Sequence, residues 1–163
     1  MGCDINLYIE YRHSGCPWQA DHHHKRCNDA GNIKDIDSAY RCYELFGYLA
    51  GVRGYTRNFL EPRGLPNDIS PVVKAAAEWW GDSCHTHSWV TLDEFIDIVV
   101  NKVKIKPNKT CNVFGEEAFN AGYFDIINYC NKIKKEQEEL DSIIFGSNIK
   151  NNIDIRLVFW FNS

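Results

Sequence analysis

The sequence predicts an α+β fold in which a small antiparallel sheet, including the N- and C-terminal strands, packs with about four helices. Apolar and polar residues alternate near both ends of the chain, and this period of two is typical of strands buried on one side. Between the two ends, apolar residues recur at helical spacing, which predicts the helices.

The two alternating stretches cover residues 3–12 and 153–161. Each has one apolar face and one face with polar side chains, so the two strands most plausibly lie in the same sheet. If they pair, their polar faces form one surface. That surface would carry Asp4, Asn6, Tyr8 and Arg156.

Capping signals place the helices between these strands. Ser70 followed by Pro71 is a typical N-cap and first helical residue. Thr91 and Glu94 have the spacing of a capping box. The four predicted helices cover residues 38–50, 71–80, 92–103 and 115–144.

Composition predicts a single domain, residues 1–163, with residues 16–35 as a loop or hairpin insertion. The net charge of -4 argues against a nucleic-acid polymer or an anionic membrane as partner. There is no apolar run of about 18 residues and no charged leader, so we expect neither a membrane span nor a signal peptide. The 7 cysteines lack framework spacing, which favours reduced thiols and a cytoplasmic location. A homo-oligomer is compatible with the sequence.

One segment is rich in soft metal ligands. Cys16, His22, His24 and Cys27 could together hold a tetrahedral Zn²⁺. However, the spacing between the two cysteines matches no usual zinc-knuckle pattern, and an exposed polar loop explains the segment equally simply. We therefore expect no cofactor, with zinc as the alternative.

Residues 85–89, His-Thr-His-Ser-Trp, allow three interpretations. His85 and His87 would share a face if the segment is extended, and could then act as an acid/base pair or as metal ligands. Alternatively, His85, Thr86, Ser88 and Trp89 recognise a ligand through polar donors and an indole ring. The third interpretation is a loop whose hydroxyl groups cap the next helix.

Arg53 and Arg63 each precede a glycine, so both guanidinium groups lie on tightly turning backbone. An arginine fork binds phosphate or carboxylate through two contacts. The predicted site for an anionic ligand combines these arginines with the segment above and the first strand. Its members are Asp4, Asn6, Arg53, Arg63, His85, Thr86, Ser88, Trp89 and Arg156.

A resemblance is carried by the opening Met-Gly-Cys-Asp-Ile-Asn, the stretch at residues 43–54, the two loops at residues 61–70 and 85–94, and the closing strand. The chain resembles an uncharacterised family of small phage and bacterial proteins that begin Met-Gly-Cys-Asp-Ile-His. The resemblance implies a phage-encoded, anti-defence protein of the host cytoplasm. This chain has Asn6 where the family has histidine, and Ser83 where the family has aspartate.

These observations support three hypotheses. The first is a phage-type binding protein that captures an anionic nucleotide or cyclic nucleotide, as a sponge for a host immune signal. The second is a phosphodiesterase-like hydrolase that uses His85 and His87. The third is a protein-binding inhibitor of a host defence enzyme. The departure at Asn6 favours binding over catalysis.

Overall fold

The computed structural model describes residues 3–21, 43–53, 59–104, 116–146 and 152–162, with side chains in the long helix described from Ile126 onward. Within these ranges the predicted α+β class is confirmed, because one antiparallel sheet of four strands packs with four α-helices. The strands are β1 (Asp4–His13), β2 (Gln19–Ala20), β3 (Cys84–Thr91) and β4 (Ile153–Asn162). The helices are α1 (Tyr43–Ala50), α2 (Pro71–Trp80), α3 (Leu92–Asp97) and α4 (Glu116–Phe145).

The two terminal strands pair along their full length, as the alternating patterns predict. Asp4 lies opposite Asn162 and His13 lies opposite Ile153, and the sheet order is β2-β1-β4-β3. Glu10 therefore faces Arg156 on the same side of the sheet. β1 and β4 are therefore the two inner strands of the sheet.

The first face of the sheet forms the larger core. The apolar residues of β1 and β4 pack there against α1, α3 and α4, which contribute Phe46, Phe95 and Ile126 among others. Within the described part of the chain, none of the helices has both the length and the apolar character needed to cross a bilayer.

The second face, which carries the polar residues of β1 and β4, is covered rather than open. Val73 and its neighbours on α2 pack on Tyr8, Val158 and Trp160. Arg156 is only 3% exposed and Asn6 only 6%. The predicted common face of Asp4, Asn6, Tyr8 and Arg156 is present. The register puts them on one face, but α2 and the loop before it bury much of that face.

Residues 84–91, which the capping-loop interpretation treats as irregular, form the edge strand β3. His85 lies opposite Phe161 and Ser88 lies opposite Phe159, so β3 has one residue more than β4 over this interval. This extra residue is a β-bulge. Thr86 lies within it at φ 56°, which is a strained conformation for a β-branched residue.

The helix caps position the neighbouring loops. Thr91 and Glu94 form both bonds of the predicted capping box, and α3 continues as a π-helical segment, Ile98–Lys102. Ser70 occupies the predicted N-cap of α2, but its side chain makes no capping bond. Instead, the Ser70 backbone N–H donates to Glu10 Oε1 at 2.7 Å. This bond ties the start of α2 to the centre of the sheet.

Candidate functional site

An open cleft of about 880 Å³ lies at the end of the sheet where β1 and β3 finish and β4 begins. This volume is within the range of small-molecule sites. The cleft extends from the loop before α2 to the side of α4. Its basic and aromatic lining residues are Arg12, Trp18, Arg63, Trp89, Lys134 and Arg156.

Five of these side chains stack in a series that we call the Arg–Trp ladder: Arg12, Trp18, Arg156, Trp89 and Arg63. The guanidinium carbons of Arg12 and Arg156 lie 4.4 and 4.0 Å from the centre of the Trp18 ring. Those of Arg156 and Arg63 lie 5.8 and 4.8 Å from the Trp89 ring. Guanidinium groups therefore already contact both indoles, and each such contact stabilises the stack by about 0.5–2 kcal/mol.

Arg156, at the centre of the ladder, is a structural brace. Its Nε donates to Glu10 Oε2 at 2.6 Å, and its Nη1 and Nη2 donate to the carboxylate and carbonyl of Asp68 at 2.7 and 3.1 Å. Hydrogen bonding from Arg156 lowers the pKa of Asp68. Because two carboxylates bind this one buried guanidinium, the middle of the cleft carries a net negative charge.

Arg63 forms one end of the ladder. Its fork donates to both oxygens of Glu94, at 3.0 and 2.6 Å, and to the carbonyl of Trp89 at 3.2 Å. The hydrogen bond with Arg63 is the main reason that the pKa of Glu94 falls from 4.5 to about 2. Because Glu94 also completes the capping box of α3, Arg63 joins the loop before α2 to the start of α3.

The backbone around Arg63 is bonded to the exposed edge of β3. The Arg63 N–H donates to Ser88 Oγ at 3.1 Å, and the Gly64 N–H donates to the His87 carbonyl at 3.0 Å. Gly64 has φ 73°, a left-handed conformation that glycine adopts without strain. Ser88 therefore positions the Arg63 loop rather than lining the cleft.

Arg12 and Lys134 form the other end of the cleft. Arg12 Nε donates to Asp154 at 3.0 Å, and its Nη1 lies 3.6 Å from Asp68. Lys134 reaches the cleft from α4. The helix is held to the end of β1 by His13, whose Nδ1 lies 2.9 Å from Asp141 Oδ2.

The histidines lie away from this cleft, at the bulge in β3. The His85 ring lies 6.3 Å from Phe161, whereas the His87 ring lies 5.6 Å from Trp160. Phe161 and Trp160 are consecutive in β4 and face opposite sides of the sheet. The shared face predicted for His85 and His87 is therefore wrong, because the extra residue of the bulge reverses the alternation.

Several polar side chains lie at or near the bulge. His85 Nδ1 lies 2.8 Å from the Thr86 hydroxyl oxygen. Burial, followed by the nearby His85, lowers the pKa of His87, so its neutral form is favoured. Asn6 lies at this same end of the sheet and donates to Asn162 Oδ1 at 3.2 Å.

The structure brings only part of the predicted ligand set together. Arg63, Trp89 and Arg156 line the cleft. Asp4, Asn6, His85 and Thr86 lie towards the bulge. Arg53 is exposed after α1 at φ 53° and is not among the described residues of the cleft wall.

The predicted zinc ligands fall mostly outside the described residues, which include Cys16 but not His22, His24 or Cys27. Cys16 is an exposed free thiol. The described part of the chain contains no group of three or more histidine, cysteine or acidic side chains arranged to hold a metal ion.

Several cleft residues were absent from the sequence prediction. Arg12 could have been found, because it continues the polar face of the first strand beyond Glu10. Trp18, Asp68 and Lys134 lie on separate segments whose local sequence carries no pattern linking them. Their convergence depends on the packing of α2, α4 and the sheet.

Comparison with family models, curated proteins and solved structures found no match to this chain.

Proposed function

We propose that this protein binds an anionic small molecule, a nucleotide or cyclic nucleotide, in the cleft beside the Arg–Trp ladder, and holds the ligand intact. The observation that carries the proposal is the convergence of Arg12, Arg63 and Lys134 on one open cleft of about 880 Å³. Capture without turnover would let the protein sequester a host signal, a biological step that rests on the phage resemblance alone.

The N–H groups of Arg12 and Arg63 that remain exposed could donate hydrogen bonds to an anion in the cleft. The Arg12 and Arg63 side chains are 32% and 30% exposed, so both guanidinium groups can reach solvent while they remain paired. Charge-assisted hydrogen bonds to a phosphate contribute about 1.5–3 kcal/mol each. A base could stack on a guanidinium plane, which arginine offers as readily as an aromatic ring.

The hydrolase alternative has less support, because His85 and His87 contact opposite faces of the sheet. Neither is among the described residues that line the cleft. A general acid and a general base must both reach the reacting group. The described wall of the cleft offers no such pair of imidazoles.

Calorimetric titration with nucleotides and cyclic nucleotides tests the proposal. We expect saturable binding at one site, with intact ligand recovered after denaturation. Lys134→Ala should weaken binding at least about tenfold, since it removes one charge-assisted contact without breaking an ion pair of the described fold.

The matched control is Lys135→Ala. Lys135 neighbours Lys134 on α4, but it lies 3.9 Å from Glu139 and outside the cleft wall. We expect its affinity to stay within about twofold of the parent protein. Recovery of cleaved ligand, or equal losses for the two lysine variants, would refute intact capture at this cleft.

A further inference from the structure

Two charged side chains in the described wall of the cleft have no charged partner. The other charged residues of that wall are joined in ion pairs, such as Arg63 with Glu94 and Arg156 with Asp68. Within the described part of the chain, the side chains of Asp93 and Lys134 make no hydrogen bond and no ion pair. One carboxylate and one ammonium group of the cleft wall are therefore available to a ligand.

Asp93 lies near the Arg63 end of the cleft. The Arg63 guanidinium donates to both oxygens of Glu94, which is the residue after Asp93 on α3. The guanidinium carbon lies 4.8 Å from the centre of the Trp89 ring. Since the Arg63 side chain is 30% exposed, part of the guanidinium remains open to a ligand. A flat ring that stacks on this guanidinium would present its edge to α3, where Asp93 lines the wall.

A free carboxylate discriminates between nucleobases. An ionised carboxylate accepts hydrogen bonds through two oxygens and donates none. Among the common bases, guanine alone carries two neighbouring donors on one edge, namely its N1–H and its N2 amino group. Adenine presents the lone pair of N1 beside its amino group, and a carboxylate repels that lone pair. An unpaired carboxylate in a nucleotide cleft therefore favours guanine.

From these observations we infer that the cleft selects guanine nucleotides and that Asp93 determines this specificity. The two carboxylate oxygens of Asp93 accept from N1–H and from the N2 amino group of the base. The base stacks on the Arg63 guanidinium, and Lys134 donates to the phosphate. This inference rests on the proposed function and narrows its ligand class.

Calorimetry with the 5′-monophosphates of guanosine, adenosine, inosine and xanthosine tests the inference on the unaltered protein. A bidentate contact to the base predicts that the guanine nucleotide binds at least about tenfold more tightly than the adenine nucleotide. The inosine nucleotide should have an intermediate affinity, because hypoxanthine keeps N1–H but lacks the amino group. Guanine and adenine nucleotides that bind within about threefold of each other, or a preference for adenine, would overturn the inference.

The variant Asp93→Asn replaces a group that only accepts with one that also donates. Its amide oxygen can still accept from N1–H, whereas its NH₂ group opposes the amino group of guanine and can donate to O2 of xanthine. We expect affinity for the guanine nucleotide to fall about tenfold and the xanthine nucleotide to become the preferred ligand. Thermal melts check that the variant folds. If it does not, the series of bases on the unaltered protein still decides.

The matched control is Asp97→Asn. Asp97 lies on the same helix but outside the described wall of the cleft, and an asparagine there can still accept from Asn101. We expect this variant to keep the guanine preference of the parent protein. A guanine preference that survives Asp93→Asn, or that both variants reduce equally, would mean that Asp93 does not determine specificity.

The two proposals fail in different ways. Nucleotides that bind without regard to their base, with loss on Lys134→Ala, would overturn guanine selection and leave nucleotide binding intact. If no nucleotide binds, the proposed function fails and the inference fails with it.

Discussion

The two ends of the second sheet face are built from the same strands but stabilised differently. At the cleft end, Arg12, Arg63 and Arg156 are each paired with carboxylates and stacked on indoles. At the bulge end, Asn6 donates a hydrogen bond to Asn162, and His85 Nδ1 lies 2.8 Å from the Thr86 hydroxyl oxygen. Thr86 there has a strained backbone.

The cleft end is therefore pre-organised by its ion pairs, whereas the bulge end contains a strained backbone. Fixed ion pairs at the cleft end hold the guanidinium planes in place, which would reduce the ordering cost of binding the proposed ligand. The bulge stores local strain of about 1–3 kcal/mol and turns His87 towards Trp160. A strained backbone often marks a functional site. Here, however, the strained residue Thr86 is not among the described residues that line the cleft.

The largest expected effect comes from breaking the centre of the ladder. Arg156→Met leaves Glu10 buried without its cationic partner, and we expect a loss of about 3–5 kcal/mol in the free energy of unfolding. Urea denaturation measures this loss. Adding Glu10→Gln should recover part of it, because the amide oxygen can still accept from Ser70. A loss below about 1 kcal/mol for the single variant would show that the ladder does not stabilise the fold.

The bulge can be tested through Thr86. Because Thr86 has φ 56°, we expect Thr86→Gly to be more stable than Thr86→Ala by about 1 kcal/mol. At an ordinary strand position the alanine variant is the more stable of the two. Thermal melts of both variants therefore measure the effect of the left-handed backbone conformation on stability. If the alanine variant is the more stable one, the left-handed conformation is not populated in solution.

The Arg63 end should respond to acid. Pairing lowers the pKa of Glu94 from 4.5 to about 2, so its contribution is complete above about pH 5 and is lost as the pH falls towards 2. Since both side chains are partly exposed, we expect about 1 kcal/mol after solvent screening. Stability measured between pH 6 and 3 should fall less in Glu94→Gln than in the parent. Identical pH profiles would mean that the pair contributes nothing.

The smallest effect is expected from the histidines. His85→Ala and His87→Ala should each change nucleotide affinity by less than about twofold, because neither side chain lines the described cleft wall. Calorimetry with the best nucleotide ligand measures this. A tenfold loss on either substitution would move the site to the bulge and revive the hydrolase hypothesis.

The Arg63 result also shows where sequence reasoning reached its limit. The sequence suggested that Arg63 is a ligand-binding arginine. In the structure Arg63 also pairs with Glu94 and stacks on Trp89, so its removal should lower both affinity and stability. This dual role is the reason that Lys134→Ala is the cleaner test.

The sequence by itself determined the α+β class, the two terminal strands and the capping box at Thr91. These features depend on local patterns, namely the alternation of apolar residues and the spacing of capping side chains. The polar sequence of β3 carries no such alternation, and its strand conformation comes from pairing with β4.

Only the tertiary structure decided the cleft, because the residues that form it come from β1, β3, β4, α3, α4 and three loops. It also decided that the bulge would turn His85 and His87 to opposite faces, since one extra residue in a paired strand reverses every side chain beyond it. Long-range register and the stacking of charges on rings are properties of the folded chain, and no local pattern encodes them.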